Sequence, residues 1–394
     1  SSSTVAPGDG TLTIGTLLPQ TGSLAFLGPP EFAGVDLAVQ QINEAGGVNG
    51  KEIVKIDGDS GDTSTNIASQ TVDSQLQKGV DAIIGAASSS VSLTVIDKIT
   101  SAGVVQFSPA NTSIKLSTYP DKGLYFRTAP PDTFQGAILG GLANKDGKKA
   151  AAILALQDAY GEGLANAFEQ NYTSGGGKVV SKIIYDPKAA SFGAEVTKTK
   201  AANPDAIVLI GFEESKKILQ ELIKQGIGPD KVQLYLCDGN LSNTLADGLP
   251  AGIMEGTKGT TPGAKASEEF RAELLKVNPQ LKDFSYAPES YDAVMLIALA
   301  ATRAKADSGE AIAANIRAVS GPNGEKCETF ADCKKLLDEG KDINFEGKSG
   351  PGDINEVGDP AKATMGVYVF GADNKYTVDT AEFITGDVPP VSGS

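Results

Sequence analysis

Asp81-Ala82-Ile83-Ile84-Gly85, running into Ala86-Ala87-Ser88-Ser89-Ser90, has a second copy in Asp205-Ala206-Ile207-Val208-Leu209-Ile210-Gly211, running into Phe212-Glu213-Glu214-Ser215. Each is a short apolar strand that ends at a glycine and a polar turn and leads into a helical stretch. Each copy is followed by another strand-like run: Val104-Val105-Gln106-Phe107 before Ser108-Pro109-Ala110, and Val232-Gln233-Leu234-Tyr235-Leu236 before Cys237-Asp238-Gly239. Two α/β halves with polar residues at matching strand ends predict two facing lobes with a ligand cleft between them.

Outward from this repeat, the pattern alternates strand and helix. Residues 11–18 read as the first strand, and Pro29-Pro30 opens a helix with Phe32, Val35, Val39 and Ile42 on one face. Gly46-Gly47 stops it. A strand over 52–57, helices over 66–78 and 91–101, and a strand over 104–107 complete a series that predicts a mainly parallel sheet. The second half repeats the order, with strands at 151–156 and 179–185 and helices at 161–172, 192–202 and 215–225. From Ala266 onward helices dominate, over 266–277, 288–306 and 309–319, before a late strand at 364–370. Such a tail most economically returns to finish both lobes. The polar leader 1–10 is expected to be unstructured, the remnant of a removed export signal or lipid-modified terminus, and the tail 386–394 to be disordered.

Composition narrows the function. The chain has 394 residues, enough for two cores, and a net charge of −15, which disfavours nucleic acid and anionic membranes as partners. It has no histidine, so Ser-His and Cys-His nucleophile pairs are excluded and the commonest metal ligand is missing. A hydrolase built on Ser89 would also lack a neighbouring lysine. The apolar run 293–302 is too short to span a bilayer and meets Arg303. Of three cysteines, Cys327 and Cys333 are close in sequence in a Gly- and Lys-rich connection and read as a small disulfide loop or as two surface thiols. A bridge would indicate an oxidising compartment. Cys237, ending an apolar strand, reads as a buried free thiol.

Other motifs are bland. Asp57-Gly58-Asp59-Ser60-Gly61-Asp62 lacks the order of an EF-hand loop and reads as a solvated turn rather than a metal site. Gly140-Gly141 lies within a helical pattern, so it offers no phosphate loop. Ser88-Ser89-Ser90, between strand and helix, suits both N-capping and a carboxylate grip, shared among the three.

Longer stretches carry a resemblance. Thr13-Ile14-Gly15-Thr16-Leu17-Leu18-Pro19-Gln20-Thr21-Gly22, Gly34-Val35-Asp36-Leu37-Ala38 and Ile42-Asn43-Glu44-Ala45-Gly46-Gly47-Val48-Asn49-Gly50 resemble the periplasmic binding proteins of the leucine/isoleucine/valine type. Ser108-Pro109-Ala110-Asn111-Thr112, Phe126-Arg127-Thr128 and Tyr160-Gly161-Glu162-Gly163 continue the match. The resemblance implies the type I fold: two doubly wound α/β lobes, mainly parallel, joined by a three-segment hinge. Its expected division is 1–131 plus 258–362 against 132–257 plus 363–394. It further implies a periplasmic or cell-surface monomer, without cofactor or metal, that delivers an amino acid to the membrane subunits of an ABC importer. A sensor role, or a short amide, urea or aromatic carboxylate as ligand, stays open.

Carried over by position, the resemblance puts Ser89, the Ala110 main chain and Thr112 on the ligand's carboxylate and Asp238 on its ammonium. Tyr160, Phe212, Tyr286 and Leu27 would line the side-chain pocket. Leu27 stands where an aromatic residue is common, and Asp238 where a longer Glu is usual. Glu213 beside Phe212 would add a further negative group.

Overall fold

The computed structural model describes residues 5–392. The first half forms strands β1 (Thr13–Leu17), β2 (Val54–Ile56), β3 (Ala82–Gly85), β4 (Val105–Ser108) and β5 (Tyr125–Arg127), all paired in parallel in the order β2-β1-β3-β4-β5. Helices α1 (Gly28–Glu44), α2 (Ile67–Gln77) and α3 (Ser89–Ser101) connect them. After α4 (Asp132–Lys145), the second half repeats the arrangement with β6 (Ala150–Leu156), α5 (Ala159–Ser174), β7 (Lys178–Tyr185), α6 (Gly193–Ala201), β8 (Ala206–Ile210), α7 (Ser215–Lys224), β9 (Gln233–Leu236) and β10 (Lys258–Pro262). The strand order β7-β6-β8-β9-β10 reproduces that of the first sheet. In both halves the order reverses beside the first strand, so the carboxyl ends there are open for ligand.

The acid that opens each copy of the repeat has one structural task. Asp81 accepts the Thr13 amide at 2.9 Å, and Asp205 accepts the amides of Lys149 and Ala150 at 2.9 and 3.0 Å. Each anchors the start of the neighbouring strand, so the repeat in sequence is a repeat in register.

The remaining chain is divided between the lobes. Helices α8 (Glu268–Val277), α9 (Ala287–Ala304), α10 (Gly309–Ser320) and α11 (Phe330–Asp338), with the paired strands β11 (Glu325–Cys327) and β12 (Ile343–Phe345), belong to the first lobe's core. Helix α9 is buried from Ala287 to Thr302, which explains why it is apolar all round. Among the described residues no helix is long and apolar enough to cross a membrane. Strands β13 (Lys362–Val369) and β14 (Glu382–Asp387) extend the second sheet antiparallel beyond β10. The chain thus passes between the sheets three times.

Three expectations change. Strand β10 pairs with β9 and β13, so residues 258–262 lie in the second sheet and the changeover comes after Pro262, not before Lys258. Its sequence, Lys-Gly-Thr-Thr-Pro, has no apolar signal. The tail is ordered further than expected: Gly386 and Asp387 pair with β13, Val388 donates to the Ala361 carbonyl, and Thr133 donates to that of Pro389 at 2.7 Å. The leader is also held from Pro7, whose carbonyl accepts the Asp307 amide, to Asp9, whose amide meets the Asp307 carboxylate at 3.1 Å. Residues 1–4 and 393–394 of the expected leader and tail lie outside the described residues.

Gly136 and Gly140, one turn apart on α4, let it pack closely on α5: a Cβ at Gly136 would sit 2.4 Å from that of Ala167, and one at Gly140 2.8 Å from the Tyr172 amide nitrogen. Of the Gly140-Gly141 pair, Gly140 serves this packing, whereas a Cβ at Gly141 would meet nothing within 4 Å.

Arg127 is fully buried and ends β5. Its Nε donates to Asp359 at 2.7 Å, Nη1 to the carbonyls of Asn111 and Ser113, and Nη2 to the Ser117 hydroxyl at 2.8 Å. It therefore fixes the loop 111–117 behind Ser89. Arg127→Met would strand the buried Asp359 carboxylate, and the expected loss is about 3–5 kcal/mol, read from denaturant midpoints. Cys327 and Cys333 are bridged with Cα atoms 5.3 Å apart, and Cys237 is a buried free thiol. Both bridged sulfurs belong to buried residues, so the surface-thiol reading is superseded. Thiol titration of unfolded, unreduced protein is expected to find one reactive group. Three would contradict the bridge.

Candidate functional site

Each lobe brings its strand ends to the same place. Leu24, Leu27, Ala87, Ser88, Ser89 and Ala110 from the first lobe face Tyr160, Phe212, Asp238 and Gly239 from the second, with Tyr286 from the segment leading into α9. The space enclosed by these walls is about 10 Å³, room for little more than one water molecule. The lobes are drawn together by direct bonds. The Glu213 amide donates to the Ser23 carbonyl at 3.2 Å, the Ala159 amide to the Ser90 hydroxyl at 3.2 Å, and the Ser113 hydroxyl to the Ala159 carbonyl at 3.4 Å. A ligand enters only when these contacts part. Outside them lies a wider cleft of about 720 Å³, with Asp62, Asp158, Lys188, Glu213 and Lys217 on its walls.

The three serines divide their tasks. Ser88 caps α3 by accepting the Val91 amide at 3.3 Å. Ser90 reaches across to Ala159. The Ser89 oxygen accepts two amides, from Thr112 at 3.2 Å and Ser113 at 3.1 Å, so its own proton is available to a ligand oxygen.

Asp238 is 4% exposed, and burial raises its pKa against three hydrogen bonds that favour the charge. Its Oδ1 accepts from Tyr160 at 2.6 Å and from the Gln135 amide at 3.0 Å, and its Oδ2 from Tyr286 at 2.5 Å. Tyr286 holds this position from a left-handed backbone, φ 64°, an uncommon conformation for a bulky residue that costs about 1–3 kcal/mol. Pro288, within the first turn of α9, favours the helix that begins just after it.

A second buried acid stands beside it. Asp132, at the start of α4, accepts from Thr112 at 2.9 Å and from the same Gln135 nitrogen at 3.1 Å. Burial and the Asp238 charge both raise its pKa well above the carboxylate range. Asp238, with three donors, is the member of the pair that ionises first.

Seven of the residues expected at the site line the enclosed space: Leu27, Ser89, Ala110, Tyr160, Phe212, Asp238 and Tyr286. Two expected roles shift. Thr112 is turned away, its hydroxyl committed to Asp132 and its amide to Ser89. The Ala110 amide donates to the Ser108 hydroxyl at 3.2 Å, so it is already engaged. Glu213 is exposed in the outer cleft rather than in the enclosed space. Sequence reading missed Leu24, Asp132 and Gln135. For Gln135 no local signal exists, because its two acid partners are distant in sequence from each other. The acidic turn is occupied by protein donors: Asp57 accepts from Thr16, Asp59 from the amides of Gln20, Thr21 and Gly61, and Asp62 from that of Ser23. These acids shape the loop at the cleft mouth.

Comparison with known proteins agrees with this architecture. The family model described as "Periplasmic binding protein" matches residues 11–331. The chain is 30% identical over 287 residues to Leu/Ile/Val-binding protein homolog 2 of Brucella abortus, covering 71% of this chain and 74% of that one. It is 25% identical over 366 residues to the chemotactic signal transduction system substrate-binding protein BasB of Halobacterium salinarum, covering 89% and 84%. Its fold matches the branched-chain amino acid transporter substrate binding protein LivJ of Streptococcus pneumoniae, solved with isoleucine, at a TM-score of 0.78 and 24% identity, covering 95% and 100% of the two chains. With two lobes of the same strand order closing on one interlobe site and a family match across most of its length, the chain belongs to the periplasmic binding protein family.

Proposed function

We propose that the protein is an extracytoplasmic solute-binding protein that closes on a small α-amino acid with an aliphatic or aromatic side chain and delivers it to the membrane subunits of an ABC importer. The observation that carries this is the pairing, across one enclosed space, of a hydroxyl with a free proton and a carboxylate with a free acceptor. A carboxylate has about four acceptor directions. Protein donors take three at Asp238, which leaves about one for a ligand ammonium, while Ser89 faces from the other lobe with a proton for the ligand's carboxylate. The apolar side chains of Leu24, Leu27 and Phe212 suit an aliphatic or aromatic group. The ligand stabilises the closed form through contacts made only there. The Cys327–Cys333 bridge is in keeping with an oxidising compartment.

A second reading rests on the same acid. Because Tyr160, Tyr286 and Gln135 already hold Asp238, a ligand without an ammonium, such as a short amide or an aromatic carboxylate, leaves little unmet there. The charge of the ligand decides between the two readings. On the amino-acid reading, Asp238→Asn lowers affinity about ten- to a hundred-fold, and Ser89→Ala lowers it less. Affinity that survives Asp238→Asn unchanged selects the ammonium-free ligand.

Acidity supplies an independent test. The ammonium needs an ionised Asp238, whose pKa lies above the ordinary carboxylate value, so binding is full above that pKa and is lost as pH falls through it. Affinity measured by calorimetry is expected to decline on acidification at a higher pH than for an exposed carboxylate. In Asp238→Asn this decline should vanish. An equally steep decline in the variant would assign it to another group.

A further inference from the structure

A second cavity, of about 230 Å³, opens where the lobes are hinged and draws its walls from both. Thr261 and Gly263, at the end of β10, and Tyr368 of β13 come from the second sheet and its exit. Arg271 of α8, Tyr286 just before α9 and Glu289 within α9 come from the first lobe. Three of these side chains keep a buried polar atom with no hydrogen-bond partner: Glu289 Oε1, Arg271 Nε and Thr261 Oγ1. Glu289 is only 2% exposed, and its carboxylate faces the cavity, where a Cβ on Gly263 would come within 3.0 Å of Oε2. The other acid in the wall, Asp283, is already engaged by the Asn243 amide and the Tyr376 hydroxyl, each at 3.2 Å.

An unpartnered buried carboxylate is costly, and so is an unpartnered guanidinium nitrogen. Here Glu289 Oε1 and Arg271 Nε, from residues that line one cavity, each lack a hydrogen-bond partner among the described residues. A cavity that sets a buried acid on α9 against Arg271 on α8 and the exposed Lys282, with tyrosine rings beside them, is complementary to a small molecule bearing both charges. We propose that this hinge cavity is a second ligand site, for a small zwitterion whose ammonium meets Glu289 and whose acidic group meets Arg271. The site is distinct from the interlobe space, although Tyr286 borders both. A molecule bound there touches both lobes and biases their relative position by its differential affinity for the closed arrangement.

Burial raises the pKa of Glu289 well above the carboxylate range. Burial thus favours the neutral carboxyl, and an ammonium that ionises it on binding would send its proton to the buffer, giving a calorimetric heat that varies with the buffer's ionisation enthalpy.

The tyrosines separate the two sites. Tyr368 and Tyr376 border the hinge cavity alone, and Tyr160 the interlobe space alone. Protein labelled with 3-fluorotyrosine at its 10 tyrosines, assigned by single Tyr→Phe changes, reports each by fluorine NMR. The probes are glycine, β-alanine and 5-aminovalerate, zwitterions of increasing charge separation. At least one is expected to move the Tyr368 and Tyr376 signals, both in the parent and in Asp238→Asn. Glu289→Gln and Arg271→Met should each weaken that response about tenfold or more. The proposal is overturned if the probes move only Tyr160, if they move no signal, or if the Tyr368 response persists at full affinity in both variants.

Discussion

A buried carboxylate must find donors from whatever the fold brings within reach, and Asp238 takes them from three helical elements. Tyr160 comes from α5, Gln135 from α4 and Tyr286 from the segment that opens α9 in the other lobe. Tyr160 and Gln135 share the second lobe with Asp238, and only Tyr286 reaches it from the other, so closure adds one donor to an acid that its own lobe already holds. The Tyr286 hydroxyl makes this acid also a bond between the lobes. Its strength depends on the low polarity of the surroundings, which sharpens every hydrogen bond within them and raises the cost of losing one.

The opposite wall of the site is neutral and is built differently. Ser89 stands at the first turn of α3 and is held by two amides of the loop that Arg127 ties down from behind. Arg127 and Asp359, one ending β5 and one in the chain returning from β12, close this loop from below. The site therefore has a rigid neutral lobe and a charged lobe whose donors are shared across the hinge. Such a division suits a protein whose work is to open and close: one wall keeps its geometry while the other gains partners on closure.

Gln135 serves two acids with one nitrogen. By donating to both Asp132 and Asp238, and accepting from Thr260 at 2.8 Å, it links the start of α4, the acid after β9 and strand β10. Two of these lie where the chain passes between lobes. The hydrogen-bond network of the site thus continues into the hinge, where the second cavity opens.

The two-lobed plan is legible in the order of residues alone. Strand periodicity, the duplicated Asp-led strands and the glycine stops are local properties, so the elements around Ile83 and Val208 could be read from neighbouring residues alone. The sequence also identified Ser89, Tyr160, Phe212, Asp238 and Tyr286 as residues of interest, through the strand ends they follow and the family pattern they share. How those residues are used is settled by folding. Thr112 is committed to Asp132, the Ala110 amide to Ser108, and Asp238 to three neutral donors. Lys258–Pro262, with no apolar pattern, becomes a strand because β9 and β13 leave a place for it. The side-chain bonds join residues from 2 to 103 positions apart, with no common spacing, so they leave no periodic trace in the chain, and burial, which makes them matter, exists only after folding.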